Sequence, residues 1–349
     1  MALPADTVAD LDATLDLYHY LQPVNTAEER ERFMDAVEDG EPYAPSYEYP
    51  GFDHDDVAAA LEELEQAAET RLEEQVVAGL RSRHRMITAI GTADITAASR
   101  EHYGAPSESM FAAAREQFTA PDRDGEATVE SRVVRDAFNA VFDHLGVDYT
   151  AALGDNDIIR NSPHESRILV PQDKSYTADA AARLLVHEST HAVRTVNGRA
   201  AGQPALVYGT AGYEIAEEGL ATFNEAAMDV LHVSLPKITA RVLAVDRIGD
   251  GFHDVYQAMR DLGLDRRAAY IRAYRVKRGI RDTSQPGGFV KDHIYFQGYQ
   301  KIADRPDLAD ELYAGKIGFD DVESVAANPV VTRDEHIDAC TAVAAERLR

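Results

Sequence analysis

The stretch of sequence that decides the fold is "LLVHESTHAVRTVNG", residues 184–198. Apolar side chains recur through it as in a helix that packs against a core, but His187, Glu188 and His191 interrupt them. Burying an unpaired charge or polar group costs free energy. Two imidazoles and a carboxylate in such a segment therefore indicate a chemical role.

The spacing of these residues fits a metal site. His187 and His191 are four residues apart, which places two side chains on one helix face with Cβ atoms about 5–6 Å apart. Two imidazoles so arranged can bind one tetrahedral Zn²⁺ ion. Glu188 then fits the general base of the H-E-x-x-H pattern. The alternative is a partly exposed amphipathic helix whose polar residues are incidental.

The segment "TAGYEIAEEGLATFNE", residues 210–225, offers a third ligand. Glu218 lies 27 residues beyond His191 in Glu-Gly-Leu-Ala, and one large class of zinc peptidases takes its third ligand from a Glu on the next helix. Gly219 costs a helix about 1 kcal/mol relative to alanine. A close approach to the helix of His187 would explain that glycine.

Two more glutamates fall near the face of Glu218. Glu214 and Glu225 are candidates for holding the ligand imidazoles by hydrogen bonds, as carboxylates do around many zinc sites. The alternative is that they are ordinary exposed glutamates of an acidic chain.

The segment 270–299, "YIRAYRVKRGIRDTSQPGGFVKDHIYFQGY", is the most basic part of the chain. Tyr295 or His293 is a candidate to donate a hydrogen bond to a developing oxyanion. The candidates for binding a substrate carboxylate, which arginine can grip with two hydrogen bonds, are Arg275, Arg278 and Lys291. The alternative is an amphipathic helix with an arginine-rich outer face.

Composition limits the possible partners. The chain has 349 residues, is 45% hydrophobic and carries a formal net charge of −26, with six lysines among its 35 basic residues. An acidic surface of this kind repels nucleic acid and anionic membranes, so we expect neither as a partner. We interpret the acidity first as solvation, with a halophilic source as a hypothesis, and second as a preference for a basic partner.

The cysteine count and the absence of a signal peptide and of a membrane-spanning segment indicate the cellular compartment. Cys340 is the single cysteine, and one thiol can form neither an intrachain disulfide nor a cysteine-based zinc site. The first 21 residues, "MALPADTVADLDATLDLYHYL", lack the basic and apolar regions of a signal peptide. No stretch approaches 18 uninterrupted apolar residues. We therefore expect a cytoplasmic protein.

Helical patterns dominate, with strands only before the motif. The strand candidates are "VDYTAAL", residues 147–153, and "SRILVPQ", residues 166–172. The motif helix is predicted to begin at the N-cap Thr177 and to stop at Gly198. Further helices predicted from apolar periodicity cover 53–82, 107–119, 128–145, 212–232, 237–262, 265–279, 288–303 and 333–347.

These elements predict an α+β, predominantly helical protein with a small sheet packed on the H-E-x-x-H helix. Because the texture changes near residue 147, we predict a mainly helical N-terminal region over 1–146 and a catalytic domain over 147–349. One continuous domain is the alternative.

The motif segments resemble those of the tyrosine carboxypeptidase-like zincin family, which includes microtubule-associated tyrosine carboxypeptidase and bacterial proteins named for a "QEGLA" motif. The resemblance rests on "HESTHAVRTVNG", "GYEIAEEGLA" and "RVKRG" followed by "GGFVKDHIYFQG". Weaker similarities are "LQPVNTAEERERF", "YEYPGF" and "HYGAP". Together these segments run from about residue 20 to residue 303.

The resemblance implies a zincin-like metallopeptidase fold, one bound zinc ion and cleavage at a peptide C-terminus, with an aromatic last residue as one expectation. It implies His187, His191 and Glu218 as zinc ligands and Glu188 as the catalytic base. It also places Lys291 and Tyr295 in a matching segment.

The sequence departs from the family pattern at two places. Glu217 stands where the family usually has Gln. Many members have one more residue between the two histidines, whereas Thr190-His191 keeps the standard four-residue spacing here. The relatives' site geometry therefore does not transfer directly.

The leading functional prediction is a zinc-dependent peptidase, a carboxypeptidase acting on peptide or protein C-termini. In it, Glu188 takes a proton from zinc-activated water and a donor such as Tyr295 stabilises the oxyanion. The alternative is a zinc-binding regulatory or interaction protein of the same fold without turnover. A third interpretation is a helical scaffold without a metal. The sequence gives no indication of oligomeric state.

Overall fold

The computed structural model of the protein describes residues 3–54, 56–120, 126–325 and 328–348. About 65% of the described chain is helical and the strands are short, so the prediction of a predominantly helical α+β protein is confirmed. Within those ranges, no helix is both long enough and apolar enough to cross a membrane.

The chain forms two compact units. One comprises Met1–Pro121 and Pro236–Phe296, and the other comprises Asp122–Leu235 and Gln297–Arg349. The division into 1–146 and 147–349 stays a prediction. The α-helices of the described residues are α1 (Ala5–Thr14), α2 (Leu17–Leu21), α3 (Thr26–Asp39), α4 (Val57–Ala67), α5 (Arg71–Ala89), α6 (Asp94–Tyr103), α7 (Glu108–Gln117), α8 (Ser131–Leu145), α9 (Ala178–Ala201), α10 (Pro204–Tyr208), α11 (Tyr213–Ala227), α12 (Leu231–Asp246), α13 (Phe252–Asp261), α14 (Arg266–Lys277), α15 (Ile294–Asp304), α16 (Leu308–Glu311) and α17 (Arg333–Arg347).

In the first unit, the helix predicted over 53–82 is two helices. α4 ends at Ala67 and α5 begins at Arg71, because Thr70 forms a capping box with Glu73. The Thr70 side chain accepts a hydrogen bond from the Glu73 backbone N–H, while the Glu73 carboxylate accepts one from the Thr70 N–H. These bonds satisfy backbone donors that a helix N-terminus leaves open.

Among the described residues, all strands lie in the second unit. They are β1 (Val129–Glu130), β2 (Thr150–Gly154), β3 (Arg160–Ser162), β4 (Arg167–Pro171) and β5 (Ser175–Tyr176). β4 is central in a three-stranded sheet, parallel to β2 and antiparallel to β3, while β1 pairs with β5 in a second, two-stranded sheet. Both strand candidates are therefore confirmed as β2 and β4.

One hydrophobic core joins the three-stranded sheet to the motif helix α9. Phe138 of α8, Ile168 of β4, Leu185 of α9 and Val343 of α17 are buried members of this core. Burial of this apolar surface, worth roughly 25 cal/mol per Å², fixes α9 from one side. The polar motif residues of α9 are thereby placed on a rigid support.

α9 is longer than predicted. It begins as expected, with the Thr177 hydroxyl accepting a hydrogen bond from the Ala180 N–H at 3.1 Å. Gly198 does not end it: the helix continues to a cap at Gly202, whose φ of 68° is left-handed. The backbone carbonyl of Leu206 occupies the place that a Cβ at Gly198 would need. That glycine serves close packing and not helix termination.

Candidate metal centre and active site

Three sequence-predicted ligands converge in the second unit. His187 and His191 on α9 and Glu218 on α11 each offer a ligand atom, and these atoms lie within 4.8 Å of one another. The Oε2 atom of Glu218 is 3.5 Å from Nε2 of His187 and 3.8 Å from Nε2 of His191. The two imidazole centroids are 5.0 Å apart with the rings at 82°. Both Nε2 atoms thus face one carboxylate.

The position of α11 depends on a contact between two glycines. A Cβ added to Gly219 would collide with the backbone of Gly298 on α15, and a Cβ added to Gly298 would lie 2.7 Å from the Cα of Gly219. The expectation that Gly219 allows approach to the His187 helix is therefore wrong, because its Cβ direction faces α15. Across the α9–α11 contact, Asn224 donates a hydrogen bond to the Thr190 hydroxyl at 3.0 Å.

Each imidazole is also held at its other nitrogen. Nδ1 of His187 is 2.7 Å from Oε1 of Glu225, and Nδ1 of His191 is 3.0 Å from Oε1 of Glu217. A carboxylate partner fixes the tautomer that carries its proton on Nδ1. When the imidazoles are neutral, the lone pair of each Nε2 then points toward Glu218, as metal binding requires.

Each of these outer carboxylates is paired with an arginine. Nε of Arg183 lies 2.8 Å from Glu225, and a terminal nitrogen of Arg194 lies 2.7 Å from Glu217. Burial raises the pKa of Glu217, but Arg194 and His191 outweigh it and hold that pKa below its ordinary value. Burial acts likewise on the pKa of Glu225, and Arg183 and His187 lower it more strongly.

The carboxylates around the two imidazoles stabilise positive charge there. Burial and Arg183 act to lower the pKa of His187, yet hydrogen bonds with Glu218 and Glu225 raise it to about 9. When both imidazoles are neutral, as metal binding requires, the carboxylates of Glu217, Glu218 and Glu225 exceed the two arginines by one negative charge. Two imidazole nitrogens and a carboxylate oxygen are a donor set that suits a zinc ion. The residues present therefore fit the metal.

Glu188 and Tyr149 lie on the same part of the second unit. Glu188 is half-buried and follows the candidate ligand His187 in α9. Burial raises the pKa of Tyr149, just before β2, and the nearby carboxylates of Glu217 and Glu188 raise it further. Sequence reasoning did not single out Tyr149. Its place within the strand candidate 147–153 gave no signal of this proximity.

The residues between the two histidines are held from behind by α17. The Ser189 hydroxyl lies 2.7 Å from Nε2 of His336, whose Nδ1 lies 2.7 Å from the Tyr313 hydroxyl. Burial lowers the pKa of His336 to about 3, with Arg333 acting in the same direction. A neutral imidazole therefore bridges Ser189 to Tyr313 inside the core. The sequence contained no signal for this long-range bridge.

Glu214 and Glu225, the glutamates predicted to hold the ligand imidazoles, lie in different places. Glu225 lies beside His187, as described above. Glu214 lies in the first turn of α11, one turn before Glu218. Glu217, which the sequence analysis noted only as a family departure, is the residue beside His191. Glu217 and Glu218 are adjacent in α11, and each faces a different group. Helical spacing alone does not show which of the two contacts Nδ1 of His191.

The predicted substrate-binding residues lie in the first unit. Arg275 is held by Asp292 through two nitrogens, with Nε–Oδ2 at 2.7 Å. His293 is fully buried, with its ring nitrogens 2.7 Å from the Val290 carbonyl and 3.2 Å from the Tyr103 carbonyl.

The other three predicted residues of that segment contact aromatic rings or cations. The guanidinium carbon of Arg241 is 4.3 Å from the centroid of the Tyr295 ring. Nζ of Lys291 is 4.7 Å from the centroid of the Tyr18 ring. Arg278 packs its guanidinium 5.3 Å from the centroid of the Phe289 ring.

Comparison with known proteins agrees with the resemblance stated from the motifs. A sequence model of the family described as "Microtubule-associated tyrosine carboxypeptidase" matches residues 31–331. "Microtubule-associated tyrosine carboxypeptidase 1" of Mus musculus is 31% identical over 156 residues, which cover 41% of this chain and 32% of that protein. The Rattus norvegicus protein of the same name is 29% identical over 164 residues, which cover 43% of this chain and 34% of that protein.

The matched region thus spans about a third of the length of these two relatives. The family model, in contrast, covers most of this chain and includes all three residues of the metal centre. The chain therefore belongs to the microtubule-associated tyrosine carboxypeptidase family.

Proposed function

We propose that this protein is a zinc-dependent carboxypeptidase that acts on peptide or protein C-termini. The observation that carries the proposal is the convergence of both Nε2 atoms and the Glu218 carboxylate. The family's name supports the carboxypeptidase class. We also propose that the second unit is zincin-like, since its motif helix packs with a small sheet.

His187, His191 and Glu218 would hold the zinc ion. When bound, zinc would polarise the scissile carbonyl and lower the pKa of a water molecule. The protein's own contribution is orientation. Glu225 and Glu217 fix both rings through Nδ1, and α17 supports the helix that carries them.

Glu188 is the proposed general base and acid. It adjoins His187 in α9, and its half-buried carboxylate is available to take a proton from the attacking water and return it to the leaving amine. Tyr295 is the proposed donor to the oxyanion, and Arg278 and Lys291 are proposed to bind the substrate. Arg275 and His293 stay predictions in that role. In this structure, Asp292 contacts the guanidinium of Arg275, and backbone carbonyls contact the ring nitrogens of His293.

The relatives are named for removing tyrosine, so a C-terminal tyrosine is the first substrate to test. Because this chain has a net charge of −26, it should repel a substrate whose C-terminal segment is strongly acidic when the salt concentration is low. We therefore propose a peptide C-terminus as the substrate class and propose no microtubule partner.

The test is a panel of peptides with different C-terminal residues, incubated with the zinc-loaded protein and read by mass spectrometry. Loss of one C-terminal residue supports the proposal, whereas an internal cut indicates an endopeptidase. Glu188→Gln should retain zinc and lose cleavage. The exposed Glu165→Gln is the matched control and should cleave normally.

Two results would contradict the proposal. Cleavage that persists in Glu188→Gln, with contaminating peptidases excluded, removes the mechanism. Stoichiometric zinc together with no cleavage of any peptide favours a regulatory zinc protein. Elemental analysis beside His187→Ala checks the metal itself: we expect one zinc ion per chain in the parent protein and none in the variant.

A further inference from the structure

One buried asparagine lies at the contact between the two helices that carry the candidate zinc ligands. Asn224 is on α11, six residues after Glu218, and is fully buried. Its Nδ2 group donates a hydrogen bond across the contact to the Thr190 hydroxyl of α9, at 3.0 Å. Thr190 lies between His187 and His191 in the chain. The asparagine therefore joins the two helices through a residue of the ligand turn and not through an imidazole.

The Thr190 hydroxyl extends this contact to the backbone of α9. It accepts the hydrogen bond from Asn224 and donates its own hydrogen to the Val186 carbonyl at 2.7 Å. Val186 directly precedes His187, and Thr190 directly precedes His191. A hydroxyl that has used its one hydrogen can only accept, so a donor at position 224 suits it. The turn between the two imidazoles is thus held against α11.

The hydrogen bonds allow the Asn224 amide one orientation. Nε of Arg333 lies 2.9 Å from its Oδ1 atom, and a guanidinium can only donate. Both Nδ2 hydrogens therefore point the other way, one to Thr190 and one to the Tyr313 hydroxyl at 2.9 Å. The ring of Phe223, with its centroid 5.2 Å from the guanidinium carbon, packs against Arg333. The donor side of the amide is thereby fixed toward α9.

The second amide hydrogen of Asn224 sets the direction of a longer chain. Because the Tyr313 hydroxyl accepts it, the tyrosine donates its own hydrogen to Nδ1 of His336, 2.7 Å away. A neutral His336 then donates from Nε2 to the Ser189 hydroxyl at 2.7 Å. Ser189 and Thr190 are neighbours in α9, so the chain returns to the ligand turn. All five of these side chains are fully buried.

α11 is thus held on two sides. The contact between Gly219 and Gly298 fixes its approach to α15, and the Asn224 amide fixes its distance from α9. The Glu218 carboxylate, 3.5 and 3.8 Å from the two Nε2 atoms, depends on that second distance. Buried polar networks whose members are all hydrogen-bonded are rigid, and a metal site requires its ligands to be placed within about 0.5 Å.

We propose that Asn224 is a positioning residue of the metal centre, whose two amide hydrogens set the separation between Glu218 and the imidazoles. The inference rests on the zinc-binding part of the proposed function and does not require cleavage. Arg333 and His336 lie beyond residue 331, where the family match ends. This support of the centre therefore comes in part from outside the matched region.

The test exchanges the donors of Asn224 for an acceptor. Asn224→Asp keeps the shape of the side chain and the oxygen that faces Arg333, but it sets a carboxylate oxygen against the hydroxyls of Thr190 and Tyr313. We expect the zinc affinity, measured by competition with a chromophoric chelator, to fall at least about tenfold, as it does when groups that orient metal ligands are replaced. The visible absorption spectrum of the Co²⁺-loaded protein should change as well, because it depends on ligand geometry.

Asn197→Asp is the matched control. Asn197 is 2% exposed, lies six residues after His191 on α9, and donates from Nδ2 to the backbone carbonyls of Tyr313 and Val331. The same exchange there should make the protein easier to unfold in urea and leave the zinc affinity and the Co²⁺ spectrum unchanged. A merely structural role of Asn224 would make the two variants alike.

A second pair of variants serves if Asn224→Asp does not fold, as judged by circular dichroism. Thr190→Val removes the hydroxyl that accepts from Asn224 and keeps the shape of the side chain. It should weaken zinc binding and alter the Co²⁺ spectrum. Thr190→Ser restores a hydroxyl at this position and should recover the zinc affinity of the parent protein.

The outcomes separate this inference from the peptidase proposal. Weaker zinc binding in Asn224→Asp or Thr190→Val, with the parent's affinity in Asn197→Asp and Thr190→Ser, supports the inference even if no peptide is cleaved. Equal zinc affinity of Asn224→Asp and the parent protein overturns it and leaves the peptidase proposal in place. Equal weakening in Asn224→Asp and Asn197→Asp does the same. A parent protein that binds neither zinc nor cobalt overturns both proposals.

Discussion

Arg194 reaches His191 through a shared carboxylate: one oxygen of Glu217 accepts from the arginine at 2.7 Å, and the other faces Nδ1 of the imidazole at 3.0 Å. Arg183 and His187 also share a carboxylate, that of Glu225, but there the arginine and the imidazole both contact the same oxygen, Oε1, at 2.8 and 2.7 Å. Each imidazole is therefore the end of a largely buried chain of three residues. In both chains the arginine keeps the carboxylate ionised, and the carboxylate keeps the imidazole oriented.

The first prediction tests one of these chains. Glu217→Ala should weaken zinc binding about 10–100-fold, as loss of an outer carboxylate typically does. Glu217→Gln should weaken it less, because the amide oxygen can still accept from His191. Competition with a chromophoric chelator measures both affinities. The exposed Glu165→Ala is the control, and an unchanged affinity in Glu217→Ala would contradict the role.

The second prediction concerns the glycine contact behind Glu218. Gly219→Ala places a methyl group against the Gly298 backbone and should lower the free energy of unfolding by about 1–3 kcal/mol, the usual cost of overpacking. Chemical denaturation measures the change. Gly249→Ala is the matched control, since a Cβ there meets no atom within 4 Å. Equal stability of the two variants would show that α11 and α15 can separate at little cost.

The third prediction concerns acid stability. Burial lowers the pKa of His336 from 6.5 to about 3, so the unfolded chain binds a proton more readily than the folded one between these values. Stability should therefore fall as the pH drops from about 6.5 toward 3. This residue alone should account for about 2 kcal/mol between pH 6.5 and 5.

Urea unfolding of the parent protein and His336→Gln at pH 7 and pH 5 isolates that contribution. We expect the variant to be less stable at pH 7, because Ser189 and Tyr313 lose a well-placed partner. It should also lose less stability on acidification. Parallel pH profiles for the two proteins would argue that His336 titrates normally.

The fourth prediction concerns salt. With 61 acidic and 35 basic residues, the folded chain repels itself, and salt screens that repulsion over about 3 Å at 1 M ionic strength. The melting temperature and solubility should both rise from dilute buffer to molar KCl. Equal behaviour in the two conditions would remove the halophilic hypothesis.

The sequence predicted local features well and distant contacts poorly. The spacing of His187 and His191 and the context of Glu218 were sufficient to select the three groups that converge. The partners of Gly198 and Gly219 were missed, because a sequence shows that a glycine lacks a side chain without showing which backbone approaches it. Apolar periodicity located α17, but nothing local indicated that this helix carries a buried imidazole to Ser189.

In the first unit, too, the sequence did not predict contacts between residues that are distant along the chain. Arg275 and Asp292 are 17 residues apart, and no helical spacing links them. Sequence reasoning therefore treated the arginine as available to a substrate. The sequence also did not show which of the neighbouring arginines on this segment pairs with a carboxylate. Only their burial and hydrogen bonding separate the paired guanidinium from those with an open donor.

The hydrogen-bonded bridge from Ser189 to His336 bears on where the second unit can be truncated. The family match ends at residue 331, and α17 begins two residues later. A chain trimmed to the matched region would keep every proposed zinc ligand yet expose the back of α9 to water. The part of the chain that the family model matches is thus shorter than the part that the fold needs. The last helix lies outside the match but is required for an intact second unit.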